Sequence, residues 1–126
     1  MNISQVSEKY KLSQDTLRYY ERIGLIPHIK RNSGGYREYS DFDCGWIEAI
    51  RFMRNAGMTI ELLLEYVGMV NQGDDTKEAR KNLLITQRSQ LVEKIADLHD
   101  TLARLTHKID SYETAVVPKE KMLIKN

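Results

Sequence analysis

The chain has 126 residues and a mass of 14.7 kDa, with 41% hydrophobic and 29% charged side chains and a mean hydropathy of −0.51, which leaves room for one compact domain and an extension but not for two ordinary domains. The net charge is only +1, yet residues 9–37 hold seven Lys or Arg against Asp15 and Glu21, a local balance of +5, whereas twelve basic residues meet fourteen acidic ones from residue 41 onward. No apolar run approaches the roughly 20 residues that cross a bilayer and the first ten residues lack a signal-peptide pattern, so a cytoplasmic location is expected; a single cysteine, Cys44, excludes an intrachain disulfide and any multi-cysteine metal cage.

Ile3, Val6 and Tyr10 share one face of a helix that stops around Lys11 and Leu12. A second helix follows almost at once, with Ser13 as its cap, Thr16 and Leu17 in its first turns, and Gly24 as a stop after Arg22 and Ile23. Two short helices across a tight turn make a helix-turn-helix candidate. Between Leu25 and Tyr39 the signals change to Pro27 and then Asn32-Ser33-Gly34-Gly35, flanked by Ile26 to Lys30 and by Tyr36 to Tyr39. A polar Gly-Gly turn between branched and aromatic flanks predicts a β-hairpin, a wing.

Ser40 caps the next helix, whose apolar positions Phe42, Trp46, Ile47, Ile50 and Met53 keep helical spacing until Asn55-Ala56-Gly57. Thr59 caps another, carrying Ile60, Leu63, Leu64, Val67 and Val70 and closed by Asn71 to Gly73; the two are expected to complete the core of the head. From about Thr76 to Val116 there is neither proline nor glycine, which allows one helix of roughly 40 residues and about 60 Å. Leu84, Leu91, Leu98, Leu105 and Tyr112 recur every seven residues, and Arg88, Ile95, Leu102, Ile109 and Val116 follow each of them by four. That alternation is a coiled-coil seam broken only by Arg88, and an apolar stripe of this length needs a partner helix, so a homodimer is expected. Val117-Pro118 is expected to end the rod. The domain division is therefore a head over 1–72, a dimerisation helix over 75–117 and a short tail over 118–126.

One ordered string of residues carries more information than the elements alone. It runs Thr16-Leu17-Arg18-Tyr19-Tyr20-Glu21, then Gly24-Leu25-Ile26-Pro27, then Gly35-Tyr36-Arg37-Glu38-Tyr39, then Ile50, Met53, Arg54, Ala56, Gly57 and Met58. This succession resembles the head of MerR-family transcription regulators over residues 1 to about 72, and the stretch 76–116 resembles that family's dimerisation helix in position and length. The resemblance implies a mainly α fold: a winged helix-turn-helix DNA-binding head with a long C-terminal dimerisation helix that forms an antiparallel coiled coil. It also implies a function: binding a promoter pseudo-palindrome as a homodimer, and controlling transcription by bending and untwisting an overlong spacer so that RNA polymerase meets both promoter elements.

In physical terms, Ser13, Thr16, Arg18, Tyr19, Tyr20 and Arg22 lie on the helix that enters a major groove in such proteins, where an arginine can reach a base edge or a phosphate. Tyr20 and Leu17 are open to either the groove or the core. Lys30, Arg31, Tyr36, Arg37 and Tyr39 cluster at the wing and suit phosphate contact, which sets affinity more than sequence choice. The bland alternative is an aromatic core of Tyr19, Tyr20, Tyr36 and Tyr39 under solvated arginines; the ordered string favours the DNA reading. The dimer seam is assigned to Leu84, Leu91, Ile95, Leu98, Leu102, Leu105, Ile109 and Tyr112.

No cofactor or metal is expected. The family's metal sensors carry cysteines near the start of the dimerisation helix and after it, where this chain has none, and His99 and His107 lack the i, i+4 pairing of a helical ligand pair. The chain resembles instead the short subgroup that answers aldehydes or oxidants through one thiol, but Phe52 stands where that cysteine belongs. Cys44 is the remaining candidate for a thiol sensor; a lone helical cysteine is more often a small buried apolar residue. Two rival functions find less support. An enzyme built on Glu61, Glu65 or Cys44 lacks any phosphate loop, triad or metal set. A coiled-coil adaptor without DNA binding leaves the +5 balance of residues 9–37 without purpose.

Overall fold

The computed structural model describes residues 1–125, in the order α1 (Ile3–Tyr10), α2 (Gln14–Arg22), α3 (Asp41–Asn55), α4 (Ile60–Gln72), a 3-10 turn (Asp74–Thr76), α5 (Lys77–Asp110), a π-helical turn (Tyr112–Val116) and α6 (Val117–Lys125). The caps follow the local chemistry. Asn2 and Gln5 form a reciprocal capping box on α1, and Ser40 and Asp43 form another on α3. Ser13 and Thr59 each accept an amide from the third residue onward. Gly24, at φ +81°, follows α2 in the left-handed conformation that lets the chain reverse. No helix among the described residues is long and apolar enough to cross a membrane.

Two compact units emerge, residues 1–88 and 89–125, the first of which takes in the opening turns of α5. Gln87 is the reason. Although polar, it is buried, and its amide donates a 2.8 Å hydrogen bond to the carbonyl of Ala56 at the end of α3. The head's core gathers Val6 from α1, Leu17 and Tyr20 from α2, Leu25 and Ile29 from the following segment, Ile47 and Ile50 from α3, and Leu63 from α4. Burial of each large aliphatic chain there contributes roughly 1.5–3 kcal/mol. Phe42 departs from the expected core set and stands exposed at the start of α3.

The wing is slighter than its turn signals imply. Its only β pairing among the described residues is an antiparallel bridge between Arg31 and Arg37. The reason lies in Asn32, whose side-chain oxygen accepts from the amides of Gly34 and Tyr36 at 2.9 and 3.1 Å, so the side chain takes donors that a longer ladder would use.

The second unit holds most of α5, a 34-residue helix in all, together with the π-turn and α6. The expected continuous helix to Val116 does not keep one winding: α5 ends at Asp110 and passes into the π-turn, where the Val116 amide reaches back five residues to the Ser111 carbonyl at 3.4 Å. Nor do Val117 and Pro118 end the helical run. They open α6, because proline is tolerated in a helix's first turn, where its missing N–H has no partner to lose. Leu84, Ile95, Leu98, Leu102, Leu105, Ile109 and Tyr112, expected on the seam, are all exposed.

Candidate nucleic-acid interface

The surface of α2 is divided by its own periodicity. Leu17 and Tyr20 turn into the core, which leaves Arg18, Tyr19 and Arg22 outside. Ser13 and Thr16 sit at the helix start, where the Ser13 hydroxyl accepts the Thr16 amide at 3.0 Å and bonds the Thr16 hydroxyl at 2.8 Å. Arg18 lies along the first turn, 3.1 Å from the Asp15 carboxylate and 3.3 Å from the Gln14 side-chain oxygen. Such an exposed pair is worth about 0.2–1 kcal/mol, so a phosphate or base edge can displace it. The Arg22 guanidinium stacks over the Tyr19 ring at 5.2 Å, a cation–π contact that holds both side chains upright on the outer face.

The wing meets α2 through a pair of largely shielded charges. Arg37 Nε donates to Glu21 Oε1 at 2.8 Å, while the second oxygen of Glu21 accepts the Ile29 amide at 3.3 Å and lies 3.2 Å from His28 Nδ1. Arg31 closes the wing tip by donating to the carbonyl of Gly35 at 2.8 Å. Tyr36 projects from the tip, and Lys30 is exposed on a separate depression with Glu38 and His28. Arg18, Arg31, Tyr36 and Arg37 line one depression of about 410 Å³, together with Gln14, Asn32 and residues 2–4 at the start of α1. Three arginines from α2 and the wing thus form one cationic surface with an aromatic edge, the combination that grips a phosphate backbone.

Two sequence candidates are corrected. Tyr20 and Tyr39 belong to the core, Tyr39 with 2% exposure, because the helical face that carries Leu17 also carries Tyr20, and because the Tyr39 amide is tied to the Met1 carbonyl at 2.7 Å. Neither is available to a ligand. Burial raises the Tyr39 hydroxyl above its usual pKa of 10.0, with Arg37 opposing the shift and Glu21 adding to it. Burial likewise raises Tyr10, and its neighbour Cys44 adds to the shift. Cys44 is a free thiol with 7% exposure, packed in the head's core.

Sequence reasoning missed Glu21 and Gln87. For Glu21 a signal existed: Asp15 and Glu21 are the only acids within residues 9–37, and each proves to hold an arginine. For Gln87 nothing in the heptad pattern distinguished it.

The chain is similar in sequence and fold to known proteins. The family model "MerR HTH family regulatory protein" matches residues 1–67, and the model "MerR, DNA binding" matches residues 46–108. The HTH-type transcriptional regulator AdhR of Bacillus subtilis is 53% identical over 93 residues, covering 74% of this chain and 66% of AdhR. An uncharacterized HTH-type transcriptional regulator of Haemophilus influenzae is 31% identical over 112 residues, covering 89% of this chain and 83% of its own length. Among solved structures, a putative MerR family transcriptional regulator from Listeria monocytogenes aligns at a TM-score of 0.78 and 45% identity, covering 99% of this chain and 95% of its own. HiNmlR, a MerR family regulator lacking the sensor domain and bound to promoter DNA, aligns at a TM-score of 0.84 and 29% identity over 94% of this chain and 90% of its own. The relatives are transcription regulators, which sets the DNA-binding reading above the adaptor, and the chain belongs to the MerR family of DNA-binding helix-turn-helix transcription regulators.

Proposed function

We propose that this regulator acts as a homodimer whose two heads sit on the half-sites of a promoter pseudo-palindrome, and that it controls transcription by bending and untwisting the spacer between them. The observation that carries this reading is the grouping of Arg18, Arg31, Tyr36 and Arg37 around one depression beside α2. In this assignment Arg18 reads a base edge in the major groove, with Ser13, Thr16, Tyr19 and Arg22 on the same helix positioning it against the backbone. Lys30, Arg31, Tyr36 and Arg37 hold phosphates at the wing. Residues 1–72 do the reading and 75–117 pair the subunits through the exposed seam, as an antiparallel coiled coil. RNA polymerase on the same promoter is the functional partner, the work is done in the cytoplasm, and no catalytic step is involved. The driving quantity is DNA deformation, on the order of a few kcal/mol for a site of this size.

Hydroxyl-radical footprinting on a duplex selected for tight binding tests the proposal. Two protected patches related by a two-fold axis, with a distorted spacer between them, are expected. A single protected patch with an unperturbed spacer overturns it.

A further inference from the structure

Five of the described residues adopt a positive φ, and four of them are glycines: Gly24, Gly35, Gly57 and Gly73. The fifth is Lys11, at φ 55° and ψ 45°, in the turn between α1 and α2. That left-handed conformation sets a Cβ against its own backbone, so glycine suits it best and asparagine next. The fold leaves residue 11 no alternative. Only Lys11, Leu12 and Ser13 separate α1 from α2, and the reversal is pinned by Ser7, whose carbonyl accepts the amides of Lys11 and Leu12 while its hydroxyl donates to the Leu12 carbonyl. Leu12 packs against the core, and Ser13 is committed to capping α2. The conformation therefore belongs to the turn, and the lysine held in it needs a reason of its own.

Packing does not supply that reason. Lys11 is exposed, and its ammonium has neither hydrogen bond nor ion pair among the described residues. Helix electrostatics does not supply it either. A cation suits the carboxyl end of α1, but Lys9 already stands in that last turn, and residue 11 also lies just ahead of the amino end of α2, which repels a cation. The acid in the first turn of α2, Asp15, is engaged by Arg18.

The position has one distinction, its place two residues before the cap of the reading helix. In the docking proposed above, the amino-terminal end of α2 enters the major groove, which brings the residues ahead of its cap to the phosphates along the groove's edge. A lysine meets a phosphate as a point charge on a flexible stem and needs no fixed geometry. Contact of that kind raises affinity for every sequence alike. We infer that Lys11 is a further DNA-backbone contact, a cation that the turn carries in a glycine-like conformation because its ammonium lies on a phosphate once α2 is seated. This rests on the docking of α2. Some fold stability is thereby exchanged for affinity.

Three variants of the full chain test the contact, each followed by chemical denaturation and by titration of a labelled duplex at a series of salt concentrations. Lys11→Gly is expected to unfold at a higher denaturant concentration than the wild type and yet to bind DNA several-fold more weakly, with the slope of log affinity against log salt reduced by about 0.9. Lys11→Met keeps the bulk and the strain without the charge, so it should lose the same affinity, on an operator and on an unrelated duplex alike, with no gain in stability. Lys11→Arg should bind as the wild type does. Wild-type affinity and salt slope in Lys11→Gly and Lys11→Met overturn the contact and leave the docking of α2 standing. A Lys11→Gly chain less stable than the wild type overturns it as well, since the lysine then serves the turn. Wild-type binding that is absent or indifferent to salt overturns both.

Discussion

Arg37 Nε lies 2.8 Å from Glu21 Oε1, an ion pair between wing and α2 in which the arginine side chain keeps 21% of its exposure and the glutamate 10%. The pair sets the angle between the two elements that carry the cationic surface. The same carboxylate also holds the Ile29 amide, so one side chain organises the chain from the end of α2 to the wing.

Glu21→Ala is therefore expected to destabilise the head by about 2 kcal/mol, the scale of losing hydrogen bonds to a charged group, and to weaken DNA binding although it removes a negative charge. Chemical denaturation with a parallel binding titration checks both. A variant that binds more tightly, as simple charge counting predicts, contradicts the positioning role.

Arg18 and Arg31 are expected to fail in different ways. Arg18→Ala loses preference at one base pair, about 1–3 kcal/mol of discrimination, whereas Arg31→Ala weakens all sequences alike and lowers the salt slope by about 1. Competition titrations against operator variants separate the two, and equal effects of both substitutions on every sequence contradict the division.

The Tyr39 hydroxyl is buried and lacks a hydrogen-bond partner, and burial raises its pKa above 10.0. A folded-state pKa above the unfolded one means that stability is full below about pH 10 and falls as pH climbs through the folded value. Thermal melting of the wild type should accordingly drop in strongly alkaline buffer. Tyr39→Phe should be equal or up to about 1 kcal/mol more stable at neutral pH and should lose less on alkalinisation, with Tyr10 accounting for part of the residual loss. A variant much less stable at neutral pH points to a hydroxyl partner and contradicts the burial argument.

Gln87 and Gly57 meet at the corner where α3 ends. A Cβ on Gly57 would lie 2.9 Å from the Gln87 amide nitrogen, and Gly57 has φ +98°. Gln87→Ala should cost about 1–2 kcal/mol through the orphaned Ala56 carbonyl. Gly57→Ala should cost more, and Gln87→Ala should not rescue it, because the backbone strain remains once the steric neighbour is gone. Full rescue in the double variant shows that the clash alone matters.

Cys44 should label slowly in the native protein and quickly once denatured, as expected of a packed thiol. Rapid native alkylation returns it to the list of sensors.

What the sequence disclosed was local. Ser13, Ser40 and Thr59 cap their helices because a side-chain oxygen needs only the next turn of backbone, and Gly24 reverses the chain by its own φ. The fate of Tyr39, by contrast, depended on the Met1 carbonyl 38 residues away, to which its amide is tied. The burial of Gln87 depended on a carbonyl 31 residues away. The end of α5 carries neither proline nor glycine; the chain there passes into a π-turn, in which the Val116 amide reaches back five residues to the Ser111 carbonyl at 3.4 Å. The cationic site was legible as a set of residue types, and its assembly through Glu21 was not.

The central claim is that the surface around Arg18, Arg31, Tyr36 and Arg37 grips a DNA backbone. Fluorescence anisotropy of a labelled promoter duplex, titrated with the full chain at a series of salt concentrations, tests it most directly. Saturable binding whose log affinity falls linearly with log salt, by about 0.9 per phosphate neutralised, is the expected result. Binding that is absent from every duplex, or indifferent to salt, contradicts it.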